Sequence, residues 1–423
     1  MFKSFSLNKK FYIKRKKRTI TAKWATILVY RIIMATILCN ISALQFYRTP
    51  PQVRELLLDD SLFNTPHIPA CIARPRSNLS DDALRIRQNL LGILKGVSFP
   101  THVTNTENNR SRADCLAWHR LDNLKQSEVT AIGEGLYVTT PERTLLDLSI
   151  KQTPACLAKL VCELCGLYTI VPTNRLMAAA EDVLRANKEL VTNNHILAAY
   201  YDCKGRILPF VDSNGNAIPW SPCGSKDDTL WKRPPLCSMD ELKEFASRVR
   251  PNRGVNTLCR SLALSAPGSS SPLETIIALM LGPSRRMGQE GLPAFFLNRQ
   301  VAVSRDIANA IRSDILVPDV GWYSQSENRL ISCCEADGAA YHNEETHSKR
   351  RRFYDDSIRR AALLRLYCNV ITATYPQVAN LEQWDMLVDV LCHALGYERK
   401  APTVLFLKKR DELHREIMQP GPK

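Results

Sequence analysis

The sequence predicts an α/β chain in two parts, an N-terminal α+β module and a C-terminal α/β domain. Three observations predict it. From Ser271 onward the hydrophobic pattern runs helix, three strands, helix, strand. Acidic residues interrupt two of those strand-like runs, in Val317-Pro318-Asp319-Val320 and in Ile331-Ser332-Cys333-Cys334-Glu335-Ala336-Asp337-Gly338. Residues 203–238 are rich in Pro, Gly, Asn, Ser and Asp, the composition of a linker. An isolated carboxylate is costly to bury, so acids within otherwise apolar strands imply a divalent cation or a partner.

The 423 residues suffice for two or three cores. The formal charge of +15 is uneven: residues 1–31 hold ten Lys or Arg and no acid. They read as a disordered basic leader. Removing those ten leaves +5 for the rest, so net charge alone does not argue for nucleic-acid binding. Trp24 to Phe46 is mostly apolar but interrupted by Arg31 and Asn40. A charge near the centre of a membrane span costs about 2.5–3.5 kcal/mol. A first core strand near Ile32 to Cys39 is therefore preferred, with a membrane tether through residues 24–46 as the alternative.

The first module is expected over residues 32–202. Ser42 is expected to cap a helix beginning Ser42-Ala43-Leu44. Asp81 to Leu94 has helical periodicity, and Thr101–Asn105, Leu116–Arg120 and Gly135–Val138 read as short strands. Thr140 then caps a helix with Pro141 in its first turn and Glu142 at the positive end of the dipole. Arg143 and Asp147, four apart, are expected to pair on its surface. Residues 155–200 read as helical, through Cys162 to Gly166 and Arg175 to Leu184.

The 14 cysteines are scattered, which suggests reduced, buried thiols in a cytosol. Cys162-x-x-Cys165 is ligand-like, but no second pair follows and a zinc site needs four ligands. The pair reads as packed core.

Beyond the 203–238 linker the second domain is expected over 239–400, with 401–423 as a tail. Met239–Arg248 and Gly254–Ser265 read as helices, and residues 266–270 as a flexible joint. Pro272–Leu281 is a helix capped by Ser271, with Glu274 in its first turn. Strands are expected at Phe295–Ser304, Ile315–Tyr323, Arg329–Ala336 and Asn369–Thr374. A long basic helix is expected over Glu344–Cys368, and a last helix over Leu381–Leu395. Glu335 and Asp337, two apart on an extended strand, share a face. His342 is either a proton-transfer group near neutral pH or a surface histidine. The basic run through Arg351 and Arg352, with Arg359 and Arg360, is either a phosphate-binding face or a solvated one.

This αβββαβ order resembles the core of the PD-(D/E)xK, or restriction-endonuclease-like, superfamily. Its details resemble the domain-of-unknown-function family related to very-short-patch-repair endonucleases. They are Ser271-x-x-Glu274-Thr275, Gly291-Leu292-Pro293, Asn298, Asp319-x-x-Trp322, Glu335-x-Asp337 with His342, and Asp356-x-x-Arg359-x-x-x-Leu363. The likeness covers roughly the last 150 residues. Val138-Thr139-Thr140-Pro141-Glu142-Arg143-Thr144-Leu145-Leu146-Asp147 resembles bacterial proteins related to abortive-infection antitoxins, which implies a winged-helix-like first module.

The resemblance implies a cytoplasmic bacterial endonuclease that hydrolyses DNA phosphodiesters with Mg²⁺ or Mn²⁺, in DNA repair or phage defence, with no small-molecule cofactor. Glu274, Asp319 and Glu335 would be its metal ligands. Asp337, standing where the superfamily has lysine, would be an auxiliary acid, and His342 a proton-transfer residue. Arg351, Arg352, Arg359 and Arg360 would contact DNA. The alternative is a non-enzymatic DNA-binding regulator whose nuclease domain has decayed.

Overall fold

The computed structural model describes residues 36–48, 97, 100–105, 116–121, 123–133, 136–171, 200–201, 207–208, 221–223, 229–249, 252–311, 313–324, 326, 328–337, 358, 360–366 and 368–421. The expected leader, the helices at 81–94 and 175–184, and the start of the basic helix lie outside these residues.

The chain is mixed α/β. Its first sheet has strand order β3-β2-β1-β5-β4. These strands are β1 (Thr36–Leu38), β2 (Thr101–Asn105), β3 (Leu116–Trp118), β4 (Val129–Gly133) and β5 (Leu136–Thr139). β1 pairs antiparallel with β2 and parallel with β5. Helix α1 (Asn40–Arg48) follows β1. Ser42 does not cap it; its hydroxyl accepts from the His102 backbone N–H at 2.8 Å and so ties α1 to β2.

Helix α2 (Pro141–Ser149) starts as expected, with the Thr140 hydroxyl accepting from the Arg143 backbone N–H at 3.4 Å. Helix α3 (Pro154–Leu164) begins the same way at Thr153 and Pro154. Two apolar stripes run along α3. Leu157, Leu160, Val161 and Leu164 join the core formed with α2. Ala155, Ala158 and Cys162 join the core of the C-terminal half. Each stripe follows helical spacing, so α3 serves both.

Strand β6 (Tyr168–Val171) pairs with β10 (Thr229–Lys232), which also pairs with β9 (Ser221–Cys223), and β7 (Tyr200–Tyr201) pairs with β8 (Ile207–Leu208). The described part of 203–238 therefore contains strands. Nor does a new domain begin at 239. Helix α4 (Met239–Arg248) and helix α5 (Val255–Leu264) bury Leu242, Phe245, Val255 and Leu258 in the core that holds Leu145 and Leu157. Ser238 caps α4 in a reciprocal box with Glu241.

Helix α6 (Pro272–Leu281) is capped by Ser271. The second sheet has order β11-β14-β15-β16: β11 (Phe296–Leu297), β14 (Val320–Ser324), β15 (Arg329–Asp337) and β16 (Asn369–Thr374). β14 runs antiparallel to β11 and β15, whereas β16 runs parallel to β15, with helical residues 360–365 between them. One face carries Val320, Trp322, Cys334, Ile371 and Ala373 against α6; the other carries Cys333 against Ala362 and Leu363.

Two expected strands are broken. Asn298, at φ 48, separates β11 from β12 (Val301–Ala302), which pairs with β13 (Ile315–Leu316) instead of continuing the sheet. A short helix, α7 (Arg305–Ile311), joins β12 to β13. Helices α8 (Tyr375–Ala379) and α9 (Leu381–Ala394) follow β16.

Residues 401–423 are not merely a tail. Thr403 caps α10 (Val404–Met418), which buries Phe406, Leu413 and Ile417. Lys159 of α3 donates to the Ile417 carbonyl at 3.0 Å at the far end of α10. No helix among the described residues is long and apolar enough to cross a membrane.

Candidate functional site

The second sheet brings its acids to one end. In antiparallel register Val320 faces Cys334. Asp319 precedes Val320 and Glu335 follows Cys334, so the two acids fall on the next rung. The side chain of Asp319 closes the ladder there: its Oδ2 accepts from the Ala336 backbone N–H at 2.8 Å. Both acids are half-buried. Burial raises the pKa of the Cys334 thiol, and the charges of Asp319 and Glu335 raise it further. One sulfur thus feels both carboxylates.

The parallel neighbour adds polar groups. Glu335 lies beside Thr372 and Asp337 beside Thr374 in the β15–β16 ladder. Arg360, exposed on the helix before β16, donates through Nη2 to the Thr372 hydroxyl. Asp319, Glu335, Thr372 and Arg360 therefore occupy one rim of the sheet, where the parallel strands β15 and β16 end. Ligand sites on open α/β sheets favour such a rim.

Glu274 reaches the same region from α6, but its oxygens are already used. Oε2 accepts from the Ser270 backbone N–H at 2.7 Å and from Asn298 Nδ2 at 2.6 Å. Oε1 accepts from the Ser270 hydroxyl at 3.4 Å. Asn298 Nδ2 also donates to the Gly268 carbonyl at 2.9 Å, and the Asn298 backbone N–H to the Asp319 carbonyl at 3.2 Å. Residues 266–270 are thus held in place and do not form a flexible joint. The Leu167 N–H reaches the Ser269 carbonyl at 2.7 Å and the Thr275 hydroxyl donates to the Ser269 hydroxyl at 2.8 Å.

Among the described residues no group of three or more His, Cys, Asp or Glu is arranged to hold a metal ion. The arrangement at the rim is two half-buried acids, Asp319 and Glu335, with Glu274 engaged behind them. Hard oxygen donors of this kind suit Mg²⁺, which is commonly bound through one or two carboxylates while keeping several waters. His342, Arg351, Arg352 and Arg359 lie outside the described residues. Sequence reasoning gave no role to Thr372 or to the Asn298 amide. The readable signal at Asn298 was a residue type tolerant of left-handed backbone between two strand-like runs.

Other buried titratable groups pack within the fold. Cys162 and Cys165 are free and buried, and burial pushes the Cys162 thiol up to about 12. Cys165 Sγ lies 3.8 Å from Cys237 Sγ. Arg143 is not on a surface. It donates to Glu128 Oε2 at 2.8 Å and Asp147 Oδ1 at 3.0 Å, with all three side chains at most 6 % exposed. The partner that draws it inside, Glu128, precedes β4 and leaves no local pattern beside the α2 motif.

No protein-family model matches the chain, and no curated protein or solved structure shows significant similarity to it.

Proposed function

We propose that the chain is a divalent-metal-dependent endonuclease acting on DNA, with a C-terminal domain of the PD-(D/E)xK kind. One observation carries this reading: Asp319 and Glu335 occupy adjoining strands at one rim, beside the Arg360–Thr372 contact. The order α6, β11, β14, β15, helical residues 360–365, β16 supports it: with β12, α7 and β13 taken as an insertion between β11 and β14, it is the helix, three strands, helix, strand order of that superfamily.

Asp319 and Glu335 would hold Mg²⁺ or Mn²⁺. Such an ion, when bound, lowers the pKa of a water and offsets charge on a scissile phosphate. The protein's own groups do the rest. Arg360, steadied by Thr372, binds a neighbouring backbone phosphate as a charged fork. Asp337, on the face of Glu335, accepts a hydrogen bond from the attacking water and orients it. Glu274 stiffens the rim from behind. The resemblance of the C-terminal half to very-short-patch-repair endonucleases suggests DNA repair, and that of the motif ending in Asp147 to abortive-infection antitoxins suggests phage defence.

The test is nicking of an end-labelled duplex by the full chain with Mg²⁺ or Mn²⁺. Wild-type protein should cleave, and Asp319→Ala and Glu335→Ala should each abolish it. Cleavage that survives both substitutions overturns the proposal. Binding without cleavage by the wild-type chain replaces it with the regulator.

A further inference from the structure

Asn298 sits where three segments of the C-terminal half come together. Its side-chain amide spans the Glu274 carboxylate, at 2.6 Å, and the Gly268 carbonyl, at 2.9 Å. Its backbone N–H reaches the Asp319 carbonyl at 3.2 Å. Its φ of 48 is left-handed, and that turn directs the chain out of β11. Side-chain and backbone donors of one residue therefore fasten the start of α6 to the residue just before β14. Asp319 in turn reaches the end of β15 through the Ala336 N–H.

We infer that Asn298 is a positioning residue for the metal site. It fixes the backbone of Asp319 through Glu274, which acts as an anchor. This rests on the endonuclease reading and assigns the third acid a different task. A half-buried carboxylate that both caps a strand and binds a cation needs its main chain held, because small misplacement of a ligand costs affinity. The amide supplies that hold. Its donor meets an anionic acceptor, the stronger class of hydrogen bond.

The experiment is Mn²⁺ binding to the full chain, followed by the electron paramagnetic resonance of free Mn²⁺, with no DNA present. Asn298→Gly keeps the left-handed backbone and deletes the amide. Asn298→Asp keeps the shape but sets a carboxylate against Glu274. Each should raise the half-saturating Mn²⁺ concentration about tenfold, the lower figure for loss of an outer-shell partner. Excess Mn²⁺ should restore the cleavage rate of both. Unaltered Mn²⁺ affinity in a folded variant overturns the inference and leaves the endonuclease reading standing. Loss of the fold in both variants also overturns it, by making Asn298 a folding element. If wild type and Asp319→Ala bind Mn²⁺ alike, the endonuclease reading itself fails.

Discussion

Arg143 donates from Nε to Oδ1 of Asp147 at 3.0 Å, and neither side chain meets solvent. The pair joins two turns of α2, and Glu128 completes it from the turn before β4. Removing one member of a buried ion pair costs about 3–5 kcal/mol, since its partners keep their desolvation penalty. Arg143→Met should destabilise the protein by that amount in urea unfolding. A loss below about 1 kcal/mol, the level of an exposed pair, would refute this assignment.

The same cluster predicts a pH dependence. Burial lifts the Asp147 carboxyl from 3.8 to about 7; the Arg143 charge and hydrogen bond pull it down, and Glu128 pushes it up. Between these values the folded protein keeps a proton that the unfolded chain has released. Stability from this group therefore falls as pH rises from about 4 to about 7. Glu163 acts in the opposite sense. Burial raises its pKa, but the charge and hydrogen bond of Arg48, with the Arg233 charge and the Thr169 hydrogen bond, together outweigh that and lower it. Its contribution is present above the unfolded value and fades only in more acidic solution. Asp147→Asn should flatten the stability profile between pH 4.5 and 7. Parallel profiles for variant and wild type would rule out Asp147 as the source.

Gly166 is a point of close approach. A β-carbon there would lie 2.5 Å from the Cys162 carbonyl oxygen and 2.7 Å from that of Ser269. Both are main-chain atoms, and the Ser269 carbonyl is already engaged by the Leu167 N–H, so neither yields cheaply. Gly166→Ala should cost about 1–3 kcal/mol, the usual range for overpacking. Calorimetry would show it as a lower melting temperature, and an unchanged one would mean that the strand junction is looser than described.

If Arg360 holds a backbone phosphate, Arg360→Ala should weaken duplex binding equally across sequences. It should also reduce the slope of log affinity against log salt by about 1. Anisotropy titrations at several KCl concentrations measure this. Thr372→Val should weaken binding less, because the guanidinium loses only its support. An unaltered salt slope in Arg360→Ala would remove that residue from the DNA contact.

Local chemistry announced much of the fold. Thr140 and Ser271 cap helices as expected, and Thr101–Asn105 and Asn369–Thr374 are strands with the expected bounds. The run 295–304 misled because Asn298 turns the chain midway, and apolar alternation does not register one left-handed residue; the run 315–323 divides at Val317 to Asp319, between β13 and β14. The C-terminal helix was legible in principle, since Phe406, Leu413 and Ile417 sit at helical spacing behind Thr403. Of the candidate site, the rung shared by Asp319 and Glu335 follows from strand order. The ties from Asn298 to Glu274 and Gly268 do not, because each joins residues 24 or 30 positions apart.

Helix α3 has apolar neighbours on both flanks, so the molecule has no seam there along which to part. Its amides can meet deuterium only when both cores have opened, which places them among the slowest to exchange. A cation settling between Asp319 and Glu335 should slow that exchange further, in a helix it never touches.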